Sequence, residues 1–394
     1  MKVAIVTTGD LADMKGIMNY VQEKMRLMQK RMNDDFTVDN YFINLYPSPF
    51  VSFIHRTLKG EKLRKKVPGV INKDGVVYHC INLEHNIIDI VICKLRKEYI
   101  PLRLQRKALK VLGGYDVLAT HQLPCHYLAR ANKKMNGVPY VATWHGSDIH
   151  STPKQTTRGF LLTKQCLEDA GMNLFVSKAL QLIADDIAPT AKKDVIYTGP
   201  SEIFKRFDEK KRQELRDAYN VKGKKVIAFV GNLVSLKNPL VMPEIMEQLL
   251  PTNPDIVCWI IGDGLLEEKL RDELKNKNIP YRLFGRVLPE KMPELMNIID
   301  ILIVPSKEEG LGLVILEASI CGAACVTSRI GGMPEIVGTS NSFPLDDNFA
   351  NNVADKVRTI IKTGDPGFCV REEFSWEAAI NKEIGIYKKM LRDK

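Results

Sequence analysis

The chain has 394 residues, 45% apolar and 26% charged, with a formal net charge of +10; this size calls for two or three domains and the balance is that of an ordinary globular protein. Nothing in it suggests disorder, collagen-like repeats or a zinc ribbon, because the eight cysteines are scattered, form no C-x-x-C pair and sit mostly in apolar runs; buried free thiols in a reducing compartment are the expectation. Residues 1–200 hold 29 Lys and Arg against 18 Asp and Glu, whereas residues 201–394 hold 28 against 29, so the positive excess belongs to the N-terminal half.

The chain opens with Val3-Ala4-Ile5-Val6, then Thr7-Thr8-Gly9-Asp10 and a helical pattern at Ile17, Met18, Val21, Met25 and Met28. Strand, loop, helix is the start of a doubly wound α/β domain. The first residues lack the apolar core of a secretory leader. The longest near-apolar stretch, Leu311 to Val326, carries Glu317, which disfavours a transmembrane helix; a cytoplasmic protein is expected.

Two segments concentrate the basic charge: Arg56 to Lys66, with six basic residues against Glu61, and Lys94 to Lys110, with seven against Glu98. Solvated helix faces are the bland reading. The sharper one is a peripheral contact with an anionic membrane or an acidic acceptor, the apolar residues Leu58, Leu63, Val67, Leu95, Ile100, Leu102 and Leu104 lying in the interface while lysines snorkel to headgroups. Nucleic acid is disfavoured, since no aromatics are interleaved with the basic residues.

Buried-strand candidates follow at Val117-Leu118-Ala119, Tyr140-Val141-Ala142 and Leu174-Phe175-Val176, ending in Thr120-His121, in Trp144-His145-Gly146-Ser147-Asp148 and in Ser177. Ligands of open parallel sheets bind outside the carboxyl ends of strands, so these clusters are expected to project toward one crevice. His145 is the candidate for contacting a substrate, with His121 and Asp148 on the acceptor side; a purely structural role is the competing reading of each. Gly9 and Gly16, in the first strand–helix loop, either let the chain pass close to a ligand or are plain turn glycines.

Turn residues Thr198-Gly199-Pro200-Ser201 mark a domain break. A charged helix, Asp208 to Tyr219, leads into a second series of strands: Val226 to Val230, Ile256 to Ile261, Tyr281 to Phe284, Ile301 to Val304 and Ala324 to Thr327. The expected domains are 1–198 and 199–375, with a last amphipathic helix, 376–391, that packs back on the first.

The densest signal is Pro305-Ser306-Lys307-Glu308-Glu309-Gly310-Leu311-Gly312-Leu313-Val314-Ile315-Leu316-Glu317-Ala318. A strand enters a loop in which Gly310 and Gly312 permit close backbone approach, and a helix starting near Leu313 aims its first N–H groups and positive dipole end at an anion. Carboxylates at Glu309 and Glu317 suit sugar and ribose hydroxyls; a loop charge and a paired helix residue are the alternatives. The segment from Ser306 to Ala318 resembles the donor signature of retaining GT-B glycosyltransferases, above all glycosyltransferase family 4, with Glu, seven residues, Glu. Ile261-Gly262-Asp263-Gly264, Phe284-Gly285, Cys321 to Val326 and Gly331 to Val337 resemble the same family, so the likeness spans nearly all of 195–394. In the N-terminal half it thins to the strand–loop pattern and His145-Gly146-Ser147-Asp148.

The resemblance implies two Rossmann-like doubly wound domains facing a central cleft, and transfer of a hexose-type sugar from a UDP- or GDP-sugar to an acceptor hydroxyl, lipid-linked or saccharide, in cell-surface polysaccharide or glycolipid assembly. Glu317 would hold the ribose and Glu309 the transferred sugar. Gly310, Leu311, Gly312, Leu313 and Val314 would offer N–H groups, and Gly285 with Arg286 would offer backbone to the base. In the run from Gly231 and Asn232 to Asn238, Lys237 matches the diphosphate lysine. Asn232 stands where the family often has arginine, which leaves Lys237 more of the phosphate charge. Glu309, Lys237 and His145 are the expected catalytic residues. No D-x-D follows a strand, so no metal and no cofactor are expected; Lys237 and the helix terminus would stabilise the leaving phosphate, which helps deprotonate the acceptor in same-face attack. An epimerase, a phosphorylase and a non-catalytic sugar-nucleotide binder are the rivals; a nicotinamide dehydrogenase is disfavoured because no G-x-G-x-x-G follows either first strand.

Overall fold

The computed structural model describes residues 1–11, 16–53, 63–96 and 98–392. They form two compact units, Met1–Ile196 with Trp376–Lys394, and Tyr197–Ser375.

The N-terminal unit is built on an eight-stranded sheet. Its strands are β1 (Lys2–Thr7), β2 (Thr37–Pro47), β3 (Val70–Lys73), β4 (Val76–His85), β5 (Val117–His121), β6 (Tyr140–Trp144), β7 (Met172–Phe175) and β8 (Lys193–Val195). The order is β3-β4-β2-β1-β5-β6-β7-β8, parallel except for β3. The short runs of β5 and β6 are buried throughout, as strands covered on both faces must be. The strand order reverses between β1 and β5, and sheets of this kind bind ligands at such a point, here the loop after β1 and the end of β5. Helices α1 (Ile17–Gln29), α2 (Ile87–Arg96), α3 (Leu102–Leu112) and α4 (Leu123–Asn136) connect the strands.

The C-terminal unit repeats the plan with six parallel strands: β9 (Lys225–Val230), β10 (Ile256–Ile261), β11 (Tyr281–Gly285), β12 (Ile301–Val304), β13 (Ala324–Ser328) and β14 (Ser342–Phe343). Their order, β11-β10-β9-β12-β13-β14, reverses between β9 and β12. Ile227, Phe229, Ile260, Ile303 and Val326 form its core with Met246, Val353 and Val357 from the helices. The helix read as Asp208 to Tyr219 spans Glu209–Ala218, α5, because its two ends serve as caps; the Asp208 carboxylate accepts the Lys211 N–H at 2.8 Å. Helix α6 (Leu313–Cys321) begins directly after Gly312.

The last helix, Trp376–Arg392, belongs to the N-terminal unit. Its inner side carries Glu383 and Tyr387, whose hydroxyl donates to Glu383 Oε1 at 2.5 Å. Glu383 in turn holds the fully buried Lys24 of α1, Nζ to Oε1 2.5 Å. Among the cysteines, Cys125, Cys166, Cys258, Cys321 and Cys325 are buried free thiols, whereas Cys369 is exposed and Cys80 and Cys93 are half-buried.

Candidate functional site

The reversal point of the C-terminal sheet gathers the residues that the sequence singled out. The β9 strand runs into Gly231 and Asn232, then a 3-10 turn, Ser235–Lys237. The β12 strand runs into the loop Pro305–Gly312, and the two loops are joined by the Lys307 N–H donating to the Leu236 carbonyl at 2.8 Å. Lys237 thereby meets Glu309 in a direct ion pair, Nζ to Oε2. Both side chains keep some exposure, so a ligand phosphate can reach the ammonium.

The Glu309 backbone is braced from the other side. Gly331 has φ +55°, and a Cβ built there would lie 1.9 Å from the Glu309 carbonyl oxygen, so only glycine allows the 329–332 loop to press on Glu309. The Gly332 N–H donates to the Gly310 carbonyl at 2.9 Å.

Gly312, with φ +93° in the left-handed region, turns the chain into α6 with no side-chain cap. The N–H groups of Leu313 and Val314 open that helix without intrahelical acceptors and carry its positive end. Gly310 and Leu311 are buried beside them. Glu317 lies on the same helix, half-buried, with no hydrogen bond or ion pair holding it among the described residues. Burial raises its carboxyl from the ordinary 4.5 to about 7. An unpaired carboxyl of this kind is ready to accept from the hydroxyls of a bound sugar or ribose.

That raised carboxyl has a consequence for stability. Below pH 4.5 Glu317 is protonated in both folded and unfolded chains and contributes nothing to the difference. Between 4.5 and 7 the unfolded chain gives up the proton first, so stability declines as pH rises, and above 7 the loss is complete. Glu317→Gln is therefore expected to flatten this part of the stability profile, measured as the urea midpoint between pH 4.5 and 8. A slope equal to that of the wild type would place the titration elsewhere.

Gly285 closes β11 with φ +62° and accepts the Gly262 N–H at 2.9 Å. Arg286 follows it on the surface. Gly231 and Gly262 approach so closely that a Cβ on Gly262 would sit 2.0 Å from the Gly231 carbonyl oxygen. Asn232 is exposed, its carbonyl accepting from Val234. These groups therefore ring the carboxyl ends of β9, β10 and β11, the side of the sheet on which Lys237 and Glu309 also stand.

In the N-terminal unit, His121 ends β5 and His145 follows β6. Their rings are joined, His121 Nδ1 to His145 Nε2 at 2.8 Å, and His121 Nε2 lies 3.2 Å from Lys24 Nζ. The ammonium only donates, so His121 Nε2 accepts, its Nδ1 carries the proton and donates to His145 Nε2, and the proton of His145 is left on Nδ1. The network thus assigns both tautomers. Burial first, and the Lys24 charge second, lower both imidazoles, His145 to about 3, so the pair is neutral at physiological pH. His145 offers a neutral N–H. Tyr20 packs against both rings, 5.6 Å from His121 and 4.6 Å from His145, centre to centre, and against Trp376 at 4.9 Å.

Three expectations change here. His121 is fully buried with both nitrogens engaged, so it touches no acceptor and orients His145 instead. The buried Asp148 carboxylate accepts the N–H groups of His145 (3.1 Å) and Gly146 (3.0 Å), so it shapes the turn that presents His145. Ser177 is the N-cap of the helix Lys178–Ile187, accepting from Leu180, and Thr120 is held by His126 at 2.7 Å; of the three clusters only the one at His145 keeps an accessible side chain. Gly16 has φ +50°, caps α1, and has nothing within 4 Å of where a Cβ would stand. Lys24, Glu383 and Tyr20 were not foreseen. Lys24 sits on the apolar face of α1 and its partner is 359 positions away, so no local pattern signals the pair.

Residues 211–375 match the family described as glycosyl transferases group 1. The chain is 25% identical over 304 residues to N-acetyl-alpha-D-glucosaminyl L-malate synthase of Bacillus anthracis, covering 73% of this chain and 77% of that protein. It is 28% identical over 236 residues to the UDP-Gal:alpha-D-GlcNAc-diphosphoundecaprenol alpha-1,3-galactosyltransferase of Escherichia coli, covering 55% and 59%. The Anabaena protein HepE, solved in complex with UDP, superposes with a TM-score of 0.72 at 15% identity over 100% of this chain and 99% of that one; this is likeness of fold.

Proposed function

From the premise that the chain is a glycosyltransferase of the GT-B fold, whose residues 211–375 form its glycosyl transferases group 1 domain, we propose that it transfers a hexose-type sugar from a UDP- or GDP-sugar to an acceptor hydroxyl with retention of configuration. The carrying observation is the pairing of Lys237 with Glu309 at the sheet's reversal point, beside the open N-terminus of α6 and the unpaired Glu317.

In the donor-free protein Lys237 and Glu309 neutralise one another. A nucleoside diphosphate laid on the α6 terminus offers Lys237 a doubly charged partner, and Glu309 is then released toward the sugar hydroxyls. Charge grows on the β-phosphate as the glycosidic bond breaks, so the ammonium and the Leu313 and Val314 N–H groups bind the transition state more tightly than the ground state. On this reading Glu317 accepts from the ribose, Gly285 and Arg286 flank the base, and the chemistry proceeds without a metal or other cofactor. In the N-terminal unit the reading assigns to His145 the donation of its N–H to a substrate oxygen. Assembly of a cell-surface polysaccharide or glycolipid at the cytoplasmic face is the process that this chemistry suits.

Three measurements test it. A panel of nucleotide sugars is expected to raise the melting temperature for one UDP- or GDP-sugar well above the rest; no stabilisation by any of them would remove the donor site. Glu317→Ala is expected to weaken donor binding, while Glu309→Ala lowers turnover with donor affinity nearly kept, because only the sugar end changes during reaction. Product of inverted anomeric configuration would overturn retention.

A further inference from the structure

The exposed face of α2 is an unusual surface. At about 100° per residue, Ile87, Ile88, Val91, Ile92 and Leu95 fall within one arc of about 140°, and all five are exposed, Ile88 at 63% and Leu95 at 78%. The opposite side anchors the helix: buried Asp89 accepts the Asn86 N–H at 2.9 Å and the Arg103 guanidinium at 2.7 Å. Phe50, 62% exposed, follows β2 at the same end of the sheet from which α2 follows β4, since β2 and β4 pair to their last residues and the Ser48 N–H donates to the His85 carbonyl at 2.8 Å. A monomeric protein seldom leaves such a row of aliphatic side chains in water.

Its surroundings are basic. Lys94 stands at one edge of the arc and is exposed. Arg103 and Lys107 of α3 reach over β4 to the carbonyls of Glu84 (3.1 Å) and Asn82 (2.8 Å). Arg64, Lys65 and Lys66 are exposed where the Lys65 carbonyl accepts from Asn44 of β2 at 2.9 Å. Glu84, which accepts from the Tyr46 hydroxyl, is an exposed acid among them.

We propose that this face docks on an anionic phospholipid bilayer, with the α2 aliphatic row in the acyl–headgroup boundary and the surrounding lysines and arginines on the phosphates. An apolar stripe bordered by basic residues is what such an interface selects; the basic residues would suit any anionic partner, and the exposed aliphatic row is what an acidic protein surface without an apolar layer leaves unmatched. The reading corrects the sequence expectation in part. Ile100 and Leu104 are buried in the unit's core and insert nowhere, whereas Leu95 stays exposed and Ile87, Ile88, Val91 and Ile92, upstream of Lys94, supply the rest of the contact. Arg56, Leu58, Lys59, Lys62 and Lys97 lie outside the described residues. The proposal goes beyond glycosyl transfer, and its position on the acceptor-side unit deepens that reading by fitting a lipid-linked acceptor.

The test is cosedimentation of the full-length protein with phosphatidylcholine vesicles with and without phosphatidylglycerol. Wild type is expected to partition at least about tenfold more strongly onto the anionic vesicles, with salt weakening but not abolishing binding because part of the contact is apolar. Ile88→Asn/Val91→Asn/Leu95→Asn is expected to lose about tenfold or more, as is Lys65→Glu/Lys66→Glu/Lys94→Glu, both with unchanged circular dichroism and unchanged donor hydrolysis. Equal binding by wild type and the asparagine variant overturns the proposal, as does a wild-type dimer in sedimentation equilibrium that the asparagine variant abolishes. Loss of donor hydrolysis in wild type would instead count against the glycosyltransferase reading and leave the vesicle result standing.

Discussion

Glu383→Ala is expected to destabilise the N-terminal unit by about 3–5 kcal/mol, the scale of leaving one charge of a buried pair without its partner. Lys24 is fully buried, and burial pulls its ammonium down while Glu383 pulls it back up. Removing the carboxylate strands the lysine and also the Tyr387 hydroxyl that donates to it. The double variant Lys24→Met/Glu383→Leu is expected to recover much of the loss, since neither charge of the pair then remains buried, the penalty of the single change being desolvation without compensation. Urea denaturation of the three proteins measures both effects; a single variant within about 0.5 kcal/mol of wild type would show that water reaches the site. The double variant carries a second readout. Without the ammonium, nothing dictates that His121 Nε2 accept, and the histidine tautomers, read from ¹⁵N shifts, are expected to become mixed while the fold is kept.

Lys237→Ala is expected to lower kcat/KM by about 2–4 kcal/mol, the range for one preorganised electrostatic contact to developing charge. The fall should lie mainly in kcat, because the growing phosphate charge appears only in the transition state. Lys237→Arg is expected to restore part of it, keeping charge but not the compact ammonium. EDTA is expected to change the wild-type rate little. Abolition by EDTA and rescue by Mg²⁺ would transfer the phosphate role from the lysine and helix terminus to a metal.

Both effects arise from pairings that differ in how far the chain itself discloses them. The loop proposed to bind the donor is legible because its chemistry is local. Gly310 and Gly312 before an apolar helix, with Glu309 and Glu317 eight positions apart, specify a strand–loop–helix turn that leaves the first helical N–H groups free for an anion. The strands are legible for a similar reason: a parallel strand covered on both faces reads as a short continuous apolar run, and β5, β6, β9 and β12 do.

What the sequence by itself determined, then, is the two-fold α/β plan, the place of the Glu309–Glu317 loop between β12 and α6 and the excess of basic charge in the first half. Only the tertiary structure decided which of those residues meet. Lys237 and Glu309 are brought together because the strand order reverses between β9 and β12, and strand order leaves no mark on local composition. The demotion of His121 and Asp148 from contact to support follows from burial, which depends on what packs above them. The pairing of Lys24 with Glu383 exists only because the C-terminal helix lies against α1, and the aliphatic row of α2 is bare only because no neighbouring element covers it among the described residues. In each case periodicity reports that a helix has an apolar face, while only the neighbouring elements settle whether that face is covered.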